Sequence, residues 1–263
     1  MEMKFSKYHG LGNDFIIIDY QENMDYSALA KQICHRHYGL GADGVIVCKI
    51  DPLEMLFYNQ DGSRGTMCGN GMRCFAKYLV DEKLINQPRF SVQTLAGNIE
   101  VMINEADISV NMGKPNFSSQ DLKIKTNLDV FLKQELLGVQ VSSVFIGTIH
   151  TVVFVDDLDE VVNSDLGYQI CHHEIFADQT NVNFVEVVDY QNFKVRTYER
   201  GVGWTLACGT GACASFIIGR LEKKCQDKVF IHFENGYLQI QVNDEDSIFM
   251  CGPAVKVASG FYY

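Results

Sequence analysis

The stretch "YNQDGSRGTMCGNG" (Tyr58–Gly71) returns 140 residues later as "YERGVGWTLACGTG" (Tyr198–Gly211). In each copy a tyrosine ends an apolar, strand-like run. Ten residues on, a cysteine opens C-G-x-G, and the glycine pair leads into a helical pattern. A repeat with this spacing predicts a duplicated fold, two similar halves related by pseudo-twofold symmetry. Each half then brings one cysteine, Cys68 or Cys208, to the entrance of a helix.

The rest of the chain fits two halves built mostly of strands. Short apolar runs bounded by turn residues read as strands. They are Phe15–Tyr20, Val45–Val47, Met55–Tyr58, Arg89–Thr94, Asn98–Asn104 and Ile108–Met112, then Val141–Ile146, Thr151–Val155, Asn183–Val188, Phe193–Tyr198, Val229–Phe233, Tyr237–Val242 and Ile248–Met250. Helical periodicity is confined to Tyr26–His37, Gly71–Val80, Leu158–His172 and Gly211–Glu222. This balance predicts an α+β fold rather than a doubly wound one. The turn-rich Gly113-Lys114-Pro115-Asn116 marks the boundary, giving an N-terminal half over 1–114 and a C-terminal half over 115–253.

Composition removes several function classes. Acidic residues outnumber basic ones 33 to 22, a net charge of −11, which argues against a nucleic-acid backbone as partner. No apolar run reaches the roughly 18 residues of a membrane span. Met1–Gly10 lacks the apolar core of a secretory signal, so a cytoplasmic protein is expected. Nine scattered cysteines make a poor disulfide framework. Their spacings, without a single C-x-x-C, do not suit zinc, so no metal is expected. Most read as small buried hydrophobes; Cys34 falls in one apolar stripe with Tyr26, Leu29 and Ile33. Gly39–Gly44 matches G-x-G-x-x-G, but it follows a helix and precedes a strand, the reverse of a dinucleotide site.

The two cysteines at helix entrances carry the chemistry. There a thiol meets unpaired backbone N–H groups and the positive end of the helix dipole. That setting predicts a thiol pKa below the ordinary value of about 8.5. The first-turn amides of Gly69-Asn70 and Gly209-Thr210 can hold a carboxylate. With an amino acid so held, one thiolate can remove the α-proton while the other thiol returns a proton to the opposite face. Carbanion charge spreads into the carboxylate, where the amides stabilise it. The scheme needs no cofactor. A cysteine hydrolase would need one cysteine and an orienting histidine, and leaves the second motif unexplained.

At these residues the chain resembles the diaminopimelate epimerase family, along nearly its whole length. The resemblance rests on "KYHGLGNDF" (Lys7–Phe15), "YGLGADG" (Tyr38–Gly44), "YNQDGS" (Tyr58–Ser63), "MCGNGMRCFAKY" (Met67–Tyr78), "VNMGKP" (Val110–Pro115), "TNVNFVEV" (Thr180–Val187), "YERGVG" (Tyr198–Gly203) and "ACGTGACAS" (Ala207–Ser215). It implies two halves, each a curved, mostly antiparallel sheet around a central helix, with the site in the cleft and 254–263 returning to the first half. It implies Cys68 and Cys208 as the acid–base pair, with Gly69, Asn70, Gly209 and Thr210 on the reacting carboxylate. Asn13, Asn59, Asn181 and Arg200 would line the pocket, Arg200 pairing with the distant carboxylate. Glu199 and His150 match polar residues kept beside the cysteines. A homodimer is also expected by likeness.

Two positions depart from that pattern. The family carries Asn-Pro-His where this chain has Thr148-Ile149-His150, and a glutamate where Trp204 stands. Both changes are expected to reshape the distal part of the pocket. Neither touches a C-G-x-G element. The expected function is epimerisation of LL- to meso-diaminopimelate. The alternatives are a cofactor-independent racemase of another amino acid and an amino-acid-binding module that kept the fold.

Overall fold

The computed structural model of the protein describes residues 2–104 and 107–263; Met1, Glu105 and Ala106 lie outside them. The chain divides into two compact units, Met1–Asn111 with Cys251–Tyr263, and Met112–Met250.

The first unit runs β1 (Met3–Gly10), β2 (Asn13–Asp19), α1 (Tyr26–Ile33), β3 (Gly44–Lys49), β4 (Glu54–Asn59), β5 (Arg64–Gly65), α2 (Gly69–Asp81), β6 (Arg89–Thr94), β7 (Gly97–Asn104) and β8 (Asp107–Asn111). β1 pairs antiparallel with β2, and β2 runs parallel to β3. β3 and β4 are antiparallel; β4 then takes β5 antiparallel and β6 parallel. Antiparallel β7 and β8 complete the order. The continuous apolar runs of β2 and β3 are buried throughout, as expected of parallel strands covered on both faces. Strands from across this sheet touch α2. Ten of its 13 residues are buried, with Met72, Cys74, Phe75, Ala76 and Leu79 sealed from solvent.

The first helical segment is shorter than its periodicity suggests. Asp25 caps α1 by accepting the Ala28 N–H at 3.0 Å. At the other end, Leu40 and Gly41 N–H groups donate to the Ile33 carbonyl. The His37 N–H, which an extended helix would send there, bonds instead to the His35 ring. The helix therefore stops before His37.

The second unit contains β9 (Gln134–Leu136), β10 (Val139–Ile146), β11 (Thr148–Val155), α3 (Leu158–Val162), α4 (Leu166–Cys171), β12 (Asn181–Asp189), β13 (Asn192–Glu199), β14 (Gly203–Thr205), α5 (Gly209–Leu221), β15 (Lys228–Phe233), β16 (Gly236–Val242) and β17 (Ile248–Gly252). β18 (Val255–Tyr262) pairs with β1 of the first unit. The pairing pattern of the first unit repeats here. β10 is antiparallel to β11 and β11 parallel to β12. β12 and β13 are antiparallel, and β13 takes β14 antiparallel and β15 parallel. β15–β16 closes the series. α5 packs against strands β10 to β13, β15 and β16, and it has the same 13-residue length as α2. The sequence repeat is thus a repeat of topology.

One predicted helix, 158–172, is broken into α3 and α4. Between them the Asn163 amide bonds to the Asp159 carbonyl, and Ser164 Oγ to the Val161 carbonyl. Polar side chains of this kind compete for helical acceptors. β1, β5, β9, β14 and β18 fall outside the strand-like runs read from the sequence.

All nine cysteines are thiols. Cys34 joins the core of the first unit as expected. Burial pushes the thiols of Cys34, Cys48 and Cys74 up to about 12, so they stay protonated. Among the described residues no helix is long and apolar enough to cross a membrane.

The central position of α5 predicts a graded sensitivity. Phe216 is fully buried, and Phe216→Ala should cost about 3–5 kcal/mol. Tyr190→Ala, at a site 69% exposed, should change stability by no more than about 0.5 kcal/mol. Urea unfolding of the two variants checks the contrast.

Candidate active site

Each C-G-x-G cysteine is the N-cap of its central helix. Cys68 has extended backbone at φ −136° and accepts the Gly71 N–H on its sulfur at 3.4 Å. Cys208, at φ −118°, accepts the Gly211 N–H at 3.3 Å. The sulfurs occupy the place an oxygen usually takes, beside first-turn amides that lack acceptors within the helix. Glycine at the third helical position has a spatial reason. A Cβ on Gly211 would overlap Asn183 Oδ1 and come within 3.1 Å of Thr197 Oγ1.

In the first unit the structure brings Asn13, Cys68 and Asn70 together. The Asn70 amide donates to Asn13 Oδ1 at 3.2 Å, and the Cys68 thiol lies 3.9 Å from the same oxygen. Asn59 ends β4, where it pairs in register with Gly44, itself the partner of Phe15. The start of β2 and the end of β4 therefore share one edge of the sheet. The Asn59 side chain donates to Ser63 Oγ at 2.9 Å and braces the turn into β5.

Behind these residues stands a charged cluster that motif reading left unassigned. Lys7 and Arg36 pair with Asp14 at 2.9 and 3.0 Å, and Arg36 also reaches Asp43 at 2.7 Å. Burial works to raise the Asp14 pKa, but the bonds from Arg36 and Lys7 overcome it and the net shift is downward. Lys7, Asp14 and Asp43 all lie inside the motifs "KYHGLGNDF" and "YGLGADG". The carboxylate of Asp14, next to Asn13 in the motif, is the signal the sequence offers.

In the second unit Cys208 is buried, with Thr210 Oγ1 at 3.5 Å from its sulfur. Its pKa runs opposite to the sequence-based expectation. Burial raises it well above the ordinary thiol value, and the Glu199 carboxylate raises it further by its charge and hydrogen bond. Thr210 and the Gly211 amide pull it down but do not prevail. Desolvation outweighs the helix end, and the resting thiol keeps its proton. Glu199 is held in turn by Thr205, whose hydroxyl donates to it at 2.8 Å.

Asn181, Arg200, Thr148 and His150 form a second group in this unit. Asn181 Oδ1 accepts the Arg200 backbone N–H at 2.9 Å, and its amide donates to the Ile149 carbonyl at 3.2 Å. The Arg200 guanidinium donates to the Asp178 carbonyl at 2.8 Å and Thr148 Oγ1 at 3.4 Å. Thr148 thus helps to set the guanidinium. Gly147 in the preceding turn approaches Thr210, so this group borders the α5 entrance.

His150 is completely buried, and burial pushes its pKa down to about 3. Asn183 Nδ2 lies 3.1 Å from His150 Nδ1; the amide can only donate, so Nδ1 accepts. The ring is neutral with its proton on Nε2, an atom without a hydrogen-bond partner.

Trp204 does not behave as its position in the motif suggests. Its ring packs edge-on against Tyr198 at 5.5 Å and at a tilt against Phe184 at 5.8 Å, within the apolar cluster of the unit. It also closes over Gly167 of α4. Its bulk is taken up in part by this packing.

The family model described as diaminopimelate epimerase matches residues 5–118 and 142–257. A diaminopimelate epimerase of Caldanaerobacter subterraneus subsp. tengcongensis is 40% identical over 270 residues, covering 98% of both chains. One from Alkaliphilus metalliredigens is 38% identical, covering 100% of this chain and 98% of its own. Among solved structures, a Bacillus anthracis phenazine biosynthesis protein of the PhzF family superposes with a TM-score of 0.74 at 15% identity, covering 100% of this chain and 99% of its own. A hydroxyproline epimerase from Agrobacterium vitis gives 0.64 at 12% identity, covering 99% and 91%. These two likenesses concern the fold.

The carboxylate beside Cys208 makes a measurable prediction. A neighbouring negative charge disfavours the thiolate, so Glu199→Gln should lower the pH midpoint for alkylation of Cys208, followed by peptide mass spectrometry. A midpoint that stays put or rises would mean that Glu199 does not act on the sulfur.

Proposed function

The chain belongs to the diaminopimelate epimerase family, and from that premise we propose that it interconverts LL- and meso-diaminopimelate with two thiols, Cys68 and Cys208. The observation that carries the reading is the pair of 13-residue central helices, each capped by its own cysteine sulfur. The α-carboxylate of the reacting centre rests on the first-turn amides of Gly69, Asn70, Gly209 and Thr210. One sulfur, as thiolate, takes the α-proton. The electron pair left on carbon spreads into the carboxylate, where the amides and helix ends stabilise it. The other sulfur, as thiol, then gives its proton to the opposite face of the planar carbon. Inversion is complete, one proton has been gained and one lost, and the two sulfurs have exchanged states.

Supporting groups follow from their placement. Glu199 accepts the Cys208 proton when that thiol must become a thiolate, the role a neighbouring base plays for a buried nucleophile. The neutral His150 ring offers an Nε2–H donor of fixed tautomer. Arg200, steadied by Asp178 and Thr148, pairs with the carboxylate of the non-reacting centre, while Asn13, Asn59 and Asn181 line the pocket. The substrate is a small zwitterion, which suits local recognition groups on a protein of net charge −11.

Incubation with meso-diaminopimelate in D2O should introduce deuterium at Cα, followed by NMR. Cys68→Ala and Cys208→Ala should each reduce epimerisation by about 10²–10⁴-fold or more, the scale of a lost acid–base group. Full inversion in either variant would refute the two-thiol scheme. Exchange confined to other amino acids would select a sibling racemase, and exchange with none a binding module.

The protein also works as a homodimer in this reading. Val255, Val257 and Phe261 of β18, and Tyr263 just after it, are all exposed. A row of apolar residues left in water marks an association surface. Light scattering on wild type should give twice the monomer mass, and Phe261→Glu should return it to about one monomer. A monomeric wild type at micromolar concentration would contradict the dimer.

A further inference from the structure

Asn13 sits in the middle of a chain of hydrogen bonds that ends on charge. Its Nδ2 donates to Asp43 Oδ2 at 2.7 Å. That oxygen also accepts the Asp14 N–H at 3.1 Å, while Asp43 Oδ1 accepts Arg36 Nη2 at 2.7 Å. The Asp43 backbone is anchored both ways: its N–H donates to the Asp14 carbonyl and its carbonyl accepts the Gln60 N–H. The carboxylate is therefore delivered to a fixed place. On the other side of Asn13, Oδ1 accepts the Asn70 amide at 3.2 Å and lies 3.9 Å from Cys68 Sγ.

An asparagine amide turned end for end keeps its shape and exchanges donor for acceptor. Only its partners decide the orientation. A carboxylate can only accept, so it takes the NH2 of Asn13 and forces the carbonyl toward Cys68 and Asn70. The reverse orientation would set a carbonyl oxygen against the Asp43 carboxylate. Asn70 agrees with this assignment. Its NH2 is spent on Asn13, and its own Oδ1 is buried without a hydrogen-bond partner.

We propose that Asp43 is a positioning residue that fixes the Asn13 amide so that a carbonyl oxygen faces the Cys68 thiol and holds the proton on that sulfur in the resting protein. An acceptor bonded to the protonated form favours that form. With the amide reversed, an N–H would face the sulfur and favour the thiolate instead. The fixed charges around this relay are Lys7, Asp14 and Arg36 behind Asn13, and Arg73 on α2 itself. The inference builds on the role proposed for Cys68, but its test needs no turnover.

The test is the pH dependence of iodoacetamide alkylation at Cys68, read by mass spectrometry of its peptide in the full-length protein. Asp43→Asn frees the Asn13 amide to turn and should lower the midpoint by about half a pH unit or more. Asn13→Ala removes the carbonyl without touching Asp43 and should move the midpoint in the same direction. The double variant should go no further than Asn13→Ala, because both changes act through one group. Arg36→Gln breaks an ion pair of the same carboxylate but leaves the amide pinned, so the midpoint should hold. An unmoved midpoint in Asn13→Ala overturns the proposal. So does an Asp43→Asn shift of undiminished size in the Asn13→Ala background, which would mean that the charge acts through space.

Discussion

A sulfur at the N-cap of a buried helix is the constraint on which the molecule rests. Serine, threonine, aspartate and asparagine cap helices well because oxygen is a strong acceptor; sulfur is a weak one. Cys68 and Cys208 nevertheless hold that position, each accepting the N–H of the glycine three residues on. The cap contributes little, so the helices must be stabilised elsewhere. Burial does this. Ten of the 13 residues of each of α2 and α5 are buried, packed against strands. The core secures the helix, and the helix in turn fixes the cysteine sulfur beside its first-turn amides. Fold stability and site geometry are in this sense one problem solved twice.

That dependence explains which parts could be read from sequence. Each cysteine caps its helix through the N–H of the glycine three residues on, and at Gly211 no Cβ fits. These residues recur at a constant offset, and the duplicated topology follows from them. Cys34 was legible for a similar reason, since helical spacing alone places it in the core. Ends of elements were not. α1 stops where the Ile33 carbonyl is taken by Leu40 and Gly41, and α3 parts from α4 where Asn163 and Ser164 capture carbonyls. Such competition depends on distances, not on residue type.

The site divides along the same line. Residues inside the repeated motif can be read from the sequence, while groupings made through space cannot. Lys7, Asp14, Arg36 and Asp43 are separated along the chain and meet only because β2 lies parallel to β3. The direction of the Cys208 shift was missed because a helix end can be seen in a sequence and desolvation cannot. Trp204 likewise sits in the motif yet belongs to the packing between β13, β14 and α4.

The two copies have diverged chiefly in where they put charge. In the first unit the carboxylates stand one residue removed from the sulfur: Asp43 meets Asn13, and Asn13 meets Cys68. In the second, Glu199 acts on Cys208 directly. A neutral amide beside a thiol can only bias its proton. A carboxylate beside a thiol can take that proton away. Identical surroundings would give the two sulfurs equal affinities for the proton. The proposed two-thiol reaction needs one of two resting thiols to lose its proton, and in that scheme Glu199 takes it from Cys208. Duplication supplies two equivalent helix ends, and unequal polar backing makes them distinguishable. The asymmetry lies in the side chains that flank the motifs, while the C-G-x-G elements remain alike because the helix entrance leaves them little freedom to change.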